Sequence, residues 1–161
     1  KIDWGLIFAA LGAVGGIGVI SSPFLVVLGL KIRRTGRRRN AATAQERLVG
    51  AWDEIVDRAR DLGFQPAQSR TRRETASELQ RLHPGIAFAE TAERINTAVY
   101  GPAPPEAPVA ETAWRVTDGI THELVKDLPW YRRALVALSL RSLRRTKVEP
   151  SITPQEEPDG T

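Results

Sequence analysis

GLIFAALGAVGGIGVISSPFLVVLGL, Gly5 to Leu30, is the stretch on which the reading of this chain turns. It holds no charged residue. At 1.5 Å per residue an unbroken helix of this length extends about 39 Å, against a hydrocarbon core of about 30 Å. The other home for so apolar a helix is the core of a large protein. The rest of this 161-residue chain is too polar to enclose it on every side. The expectation is therefore a transmembrane helix within residues 1–30, with all that follows on one side of a membrane.

The stretch has a face. Gly5, Ala9, Gly12 and Gly16 recur at 4-3-4 spacing, and Gly12 with Gly16 forms a GxxxG pair. Small residues let a second helix approach closely, so these four are candidates for packing against other transmembrane helices. Pro23 cannot donate to the carbonyl of Val19 and predicts a kink, which Ser21 and Ser22 would relieve. Trp4 stands where an indole meets the membrane interface. A secretory signal peptide is disfavoured, because the apolar run is too long and arginines, not a small-residue cleavage site, follow it.

Lys31, Arg33, Arg34, Arg37, Arg38 and Arg39 lie directly behind, in a basic juxtamembrane linker over residues 31–42. Lys and Arg are retained on the cytoplasmic side, which places the remainder in the cytoplasm below a cell membrane. The same cations suit anionic lipid head groups. Nucleic-acid binding is the sharper alternative, and the position at the end of a span favours topology and lipid. Beyond Asn40 there are 16 basic and 18 acidic residues, so the basic balance belongs to this run and not to the domain behind it. The chain has no cysteine, which excludes a disulfide scaffold, a thiolate metal site and a cysteine nucleophile within it. It has no methionine either, even at position 1, as expected of a piece of a longer protein.

Residues 43–145 read as a cytoplasmic helical domain. Thr43 with Glu46, and Thr71 with Glu74, have the S/T-x-x-E spacing of a capping box. Leu48, Trp52, Ile55, Ala59 and Leu62 then keep helical spacing up to Gly63, while Asp53, Glu54, Asp57 and Asp61 fall on a solvated face. Ala76, Leu79 and Leu82 mark a second helix ending at His83-Pro84-Gly85. A third runs from Ile86 to Val99 and stops at Tyr100-Gly101-Pro102. PAPPEAP, Pro102 to Pro108, predicts an extended connector, with an SH3-type ligand as the alternative. A fourth helix spans Val109 to Asp127 with Ala110, Trp114, Thr117, Ile120, Leu124 and Leu128 inward. A fifth begins at Pro129, with Trp130, Ala134, Leu135, Leu138 and Ser142 expected on a core face and arginines over the remainder. That helix reads as a core helix, or as a basic amphipathic one that also touches a membrane surface or an acidic partner. Residues 146–161 are acidic and proline-rich and predict disorder, with Thr153-Pro154 a candidate phosphorylation site.

No catalytic constellation emerges from the residues. His83 reads as a turn residue. His122-Glu123 begins an H-E-x-x-H motif, but Lys126 holds the second ligand position, so no metal site is expected. No phosphate-binding loop is present, and no cofactor is implied.

Several stretches together resemble one family. They are the glycine-rich run, the R-R-x-x-R-R-R cluster, AQERLVGAWDEIVDRARDLGF, TRRETASEL, AERINTAVYGPAPPEAPVAETAWRVTDGI and the basic LxLRSL segment. In combination they are similar to the C-terminal end of actinobacterial transglutaminase-like membrane proteins. The most specific pieces are Thr71-Arg72-Arg73-Glu74 and Tyr100-Gly101-Pro102. The resemblance implies an upstream extracytoplasmic catalytic domain with Cys, His and Asp, none of which matches a residue here. It implies for this chain the final span and a small cytoplasmic module. Neighbouring genes in that family suggest a MoxR-type AAA+ ATPase and a von Willebrand factor A-like protein as partners. The expectation is thus an all-α chain, one transmembrane helix followed by a bundle of about five helices, acting as an interaction module of a cell-envelope protein. Two alternatives are the tail of a transglutaminase or related cysteine protease, and an anionic-lipid-binding assembly module.

Overall fold

Thr43 and Thr71 each open a helix. In the computed structural model, which describes residues 23–66 and 70–143, each threonine hydroxyl accepts from the backbone N–H of the glutamate three residues on. Each glutamate in turn accepts from the threonine's own N–H, completing both capping boxes. The helices they open are α2, Ala44–Asp61, and α3, Arg72–Leu82. Ahead of them α1 covers residues 23–39. Behind them come α4, Phe88–Tyr100, α5, Ala107–Glu123, and α6, Trp130–Leu138. The described residues contain no strand.

The core lies between α2, α3, α4 and α5. Leu48, Trp52, Ile55 and Ala59 of α2 meet Ala76 and Leu79 of α3, Phe88, Ala92, Ile95 and Val99 of α4, and Ala110 and Ile120 of α5. Each large apolar side chain buried here stabilises the fold by about 2 kcal/mol. Polar contacts set the directions. Arg72 with Asn96, and Gln80 with the N–H of Ala89, make α3 and α4 an antiparallel pair. Gln45 donates to the carbonyl of Val99, so the start of α2 meets the end of α4. Thr117 donates to the carbonyl of Ala51, and Leu48 shares a groove with Val109, Ala113 and Val116, so α5 runs alongside α2 in the same direction.

The structure corrects the expected architecture. Among the described residues no helix is long and apolar enough to cross a membrane, and the transmembrane helix expected over Gly5 to Leu30 is not seen. Of that stretch, residues 5–22 lie outside the described residues, as does the expected kink ahead of Pro23. The described helices number six, and residues 31–39, read as linker, are the second half of α1. The expected tail 146–161 also lies outside.

Two further corrections concern faces. Trp130, Ala134 and Leu135 do not face the core; α6 has no buried residue, and Trp130 is 81% exposed. Leu138 is half-buried, and only Ser142 of the expected stripe is buried, beyond the end of the helix. The core is already closed by four helices, so the sixth has no apolar surface to cover. Conversely Asp57 and Asp61, expected in solvent, are 3% and 7% exposed. They are covered because α1 lies on them. The helix expected to reach Asp127 stops at Glu123, and the connector expected through Pro108 ends at Glu106, with Pro108 inside the first turn of α5.

Candidate interaction surfaces

The basic run is folded onto the protein. Lys31 Nζ donates to Asp61 Oδ2 at 2.7 Å. Arg34 Nη2 lies 3.2 Å from Asp57 Oδ2. Arg38 Nη1 donates to Asp57 Oδ2 at 2.8 Å and to Glu54 Oε2 at 3.2 Å, while its Nη2 reaches Asp53. Lys31, Arg34 and Arg38 fall on one face of α1, and Asp53, Asp57 and Asp61 on one face of α2. The two stripes pair in reverse order, so α1 runs antiparallel to α2. Burial works against the charge of Arg38, but the carboxylates of Asp57, Asp53 and Glu54 outweigh it and hold the guanidinium above its ordinary value. Gly50 lets the helices touch: a Cβ there would stand 2.8 Å from Arg38 Cβ. Arg39 completes the seam with two hydrogen bonds to Asp118, its guanidinium 4.6 Å above the ring of Trp114.

The seam also gathers the chain after α6. Ser142 N–H donates to Asp61 Oδ1 at 3.1 Å, and Arg34 donates to the Ser142 carbonyl at 2.8 Å. Lys31 donates to the carbonyl of Val136. Arg133 donates to the carbonyls of Lys126 and Leu128, which tethers α6 to the turn after α5. The first turns of α1, α6 and the end of α2 therefore share one end of the molecule. That end is apolar and exposed: Phe24, Leu25, Val26, Leu28, Leu30 and Ile32 of α1, with Trp130, Tyr131 and Leu135 of α6.

At the other end, where α2 begins, a cleft of about 740 Å³ opens between the start of α3 and the end of α4. Thr71, Arg72, Arg73, Glu93, Asn96, Thr97, Tyr100 and Gly101 line it. Arg72 donates to Asn96, leaving its buried Nε without a hydrogen bond. Arg73 pairs with Glu93 at 2.9 Å across the cleft. Tyr100 is 78% exposed. Gly101 is required where the chain leaves α4, because a Cβ would stand 2.6 Å from the Thr97 carbonyl.

Of the residues singled out in the sequence, Gly5, Ala9, Gly12 and Gly16 lie outside the described residues. Lys31, Arg34, Arg38 and Arg39 are brought together on carboxylates. Arg33 and Arg37 are exposed and form no ion pair among the described residues. His83 and His122 are exposed, and no group of described residues is arranged to hold a metal ion. Sequence reasoning missed the seam, although its signal is present: cations at 31, 34 and 38 match the period of carboxylates at 53, 57 and 61. It also missed that Thr71 to Arg73 and Tyr100-Gly101, the two most specific stretches of the resemblance, line a single cleft.

Comparison of the chain with protein-family models, with curated proteins and with solved structures gives no match.

Proposed function

We propose that this chain is an interaction module whose cleft between α3 and α4 docks a segment of a partner protein. One observation carries the reading. Two stretches 29 positions apart, Thr71-Arg72-Arg73 and Tyr100-Gly101, converge on one surface that the core does not need. Their side chains suit docking: an exposed phenol and two guanidiniums on one surface. The clasp of α1 on α2 supports the same reading, since it fixes the cleft relative to whatever precedes α1.

The resemblance to transglutaminase-like envelope proteins supplies candidate partners, a MoxR-type AAA+ ATPase and a von Willebrand factor A-like protein. The test uses the full chain in mild detergent with each candidate from the same genome. Binding should weaken at least roughly tenfold in Tyr100→Ala, an anchor residue of the type that dominates interfaces. Arg73→Glu should weaken it similarly by placing like charge beside Glu93. Failure of both candidates to bind, or binding indifferent to both substitutions, would overturn the docking role of the cleft.

A further inference from the structure

We propose that the end formed by α6 and the first turns of α1 is a contact site for an anionic lipid surface. The site lies at the opposite end of α2 from the cleft, and it stands whether or not the cleft binds a protein.

Three observations converge on lipid. The apolar side chains of α1 are not confined to a stripe. At 100° per residue Phe24, Leu25 and Val26 point in three different directions, Leu30 lies on the side of Val26, and all four are exposed. A single protein groove covers one face of a helix, whereas a lipid surface also meets the sides beside that face. Next, α6 presents Trp130, Tyr131 and Leu135 outward, and Trp130 stands edge-on to Tyr131 with ring centroids 6.1 Å apart. Tryptophan and tyrosine of this kind seat at the head-group boundary, with the apolar body inside and the polar edge wet. Finally, the charge carried by these two helices is of one sign. Neither residues 23–39 nor α6 contains a carboxylate. Arg33, Arg37 and Arg132 remain exposed without ion pairs among the described residues after the seam has taken Lys31, Arg34, Arg38 and Arg39. An exposed apolar surface flanked by free guanidiniums fits acyl chains beneath anionic head groups. The sequence ahead of α1 carries no charged residue back to Gly5.

The chain lacks cysteine, so one introduced thiol gives a unique probe position. The full chain carrying Leu135→Cys, labelled with an environment-sensitive fluorophore, is reconstituted into phosphatidylcholine vesicles with or without phosphatidylglycerol. Nitroxide lipids serve as quenchers. The label at 135 should emit at shorter wavelength and be quenched in the anionic vesicles, while the same label at Ala103→Cys, beside the cleft, stays aqueous in both. Replacing Arg33, Arg37 and Arg132 by Gln, one after another, should shift the equilibrium toward the aqueous state by roughly fivefold each. A label at 135 that stays aqueous in anionic vesicles overturns the site. Equal quenching in both vesicle types overturns the role of the arginines. A blue shift that grows with protein concentration and needs no anionic lipid assigns the face to a second copy of the chain instead.

Discussion

Asp57 is where the polar architecture converges, with Arg34, Arg38 and Arg60 all within 3.2 Å of its carboxylate. Removing one partner of a buried ion pair leaves uncompensated charge out of water. Arg38→Ala should lower the unfolding free energy by about 3 kcal/mol, the lower end for such a loss because two guanidiniums remain on Asp57. Arg33→Ala, on the exposed side of the same helix, should change it by less than about 0.5 kcal/mol. Urea titrations followed by tryptophan emission compare the two, and equal losses would show that Arg38 is no more structural than Arg33. The caps are the other residue-scale test. Thr43→Ala should cost about 1 kcal/mol. At Glu74 the Thr71 N–H, and then its hydroxyl, hold the carboxyl below its usual range. A carboxylate depressed in the folded state stabilises fully above its unfolded pKa and loses that contribution as the pH falls through its folded pKa. The gap in melting temperature between Glu74→Gln and the parent should therefore be widest near neutral pH and shrink in acid; a gap independent of pH would remove the Glu74 charge from the account. Both capping boxes were legible in the sequence because their partners are three residues apart. The partners of Asp57 were not, because Arg38 lies 19 positions away and only the packed fold brings it near.

At the scale of the element, α1 and α6 separate what periodicity can and cannot say. The stripes of α2 and α5 predicted their buried faces, since Leu48, Trp52, Ile55, Trp114, Thr117 and Ile120 are all inside. The stripe of α6 has the same spacing and faces outward, with Leu135 65% exposed. Amphipathic spacing announces that a helix has an apolar face; it does not announce what covers that face. Charge has the same limit. Six cations in nine residues read as a topology signal suited to anionic lipid, and the spacing did not announce that four of them bind carboxylates on α2 and α5. The closeness of α1 to α2 gives this scale its prediction. Gly50→Ala adds a Cβ that meets the root of Arg38, where no flexible side-chain end can yield. Overpacking of this kind costs about 2 kcal/mol, and alanine's helix propensity returns about 1 kcal/mol of it. The net loss of about 1 kcal/mol should come with faster hydrogen exchange in residues 31–39. A stabilised protein with unchanged exchange would show that the two helices are not in contact at Gly50.

Across the described residues the six helices present two unlike ends. α2 spans about 27 Å between them. At its start lies the cleft of Arg72, Arg73 and Tyr100, and at its finish the apolar end of α1 and α6. The all-helical class and the two capped helix starts were readable from the sequence, because they depend on local spacing. The two ends were not, because each is assembled from segments far apart in the chain. The account depends on the seam of Lys31, Arg34 and Arg38 against Asp61, Asp57, Asp53 and Glu54, which holds the basic run on the body and sets the two ends opposite one another. Spin labels at Arg33→Cys and Ala103→Cys measure that arrangement in the full chain, since both positions are exposed and no native thiol competes. The account predicts a single narrow distance distribution that broadens when Asp57 and Asp61 are replaced by alanine. A distribution already broad in the parent chain, or one that stays narrow without the two carboxylates, would contradict it.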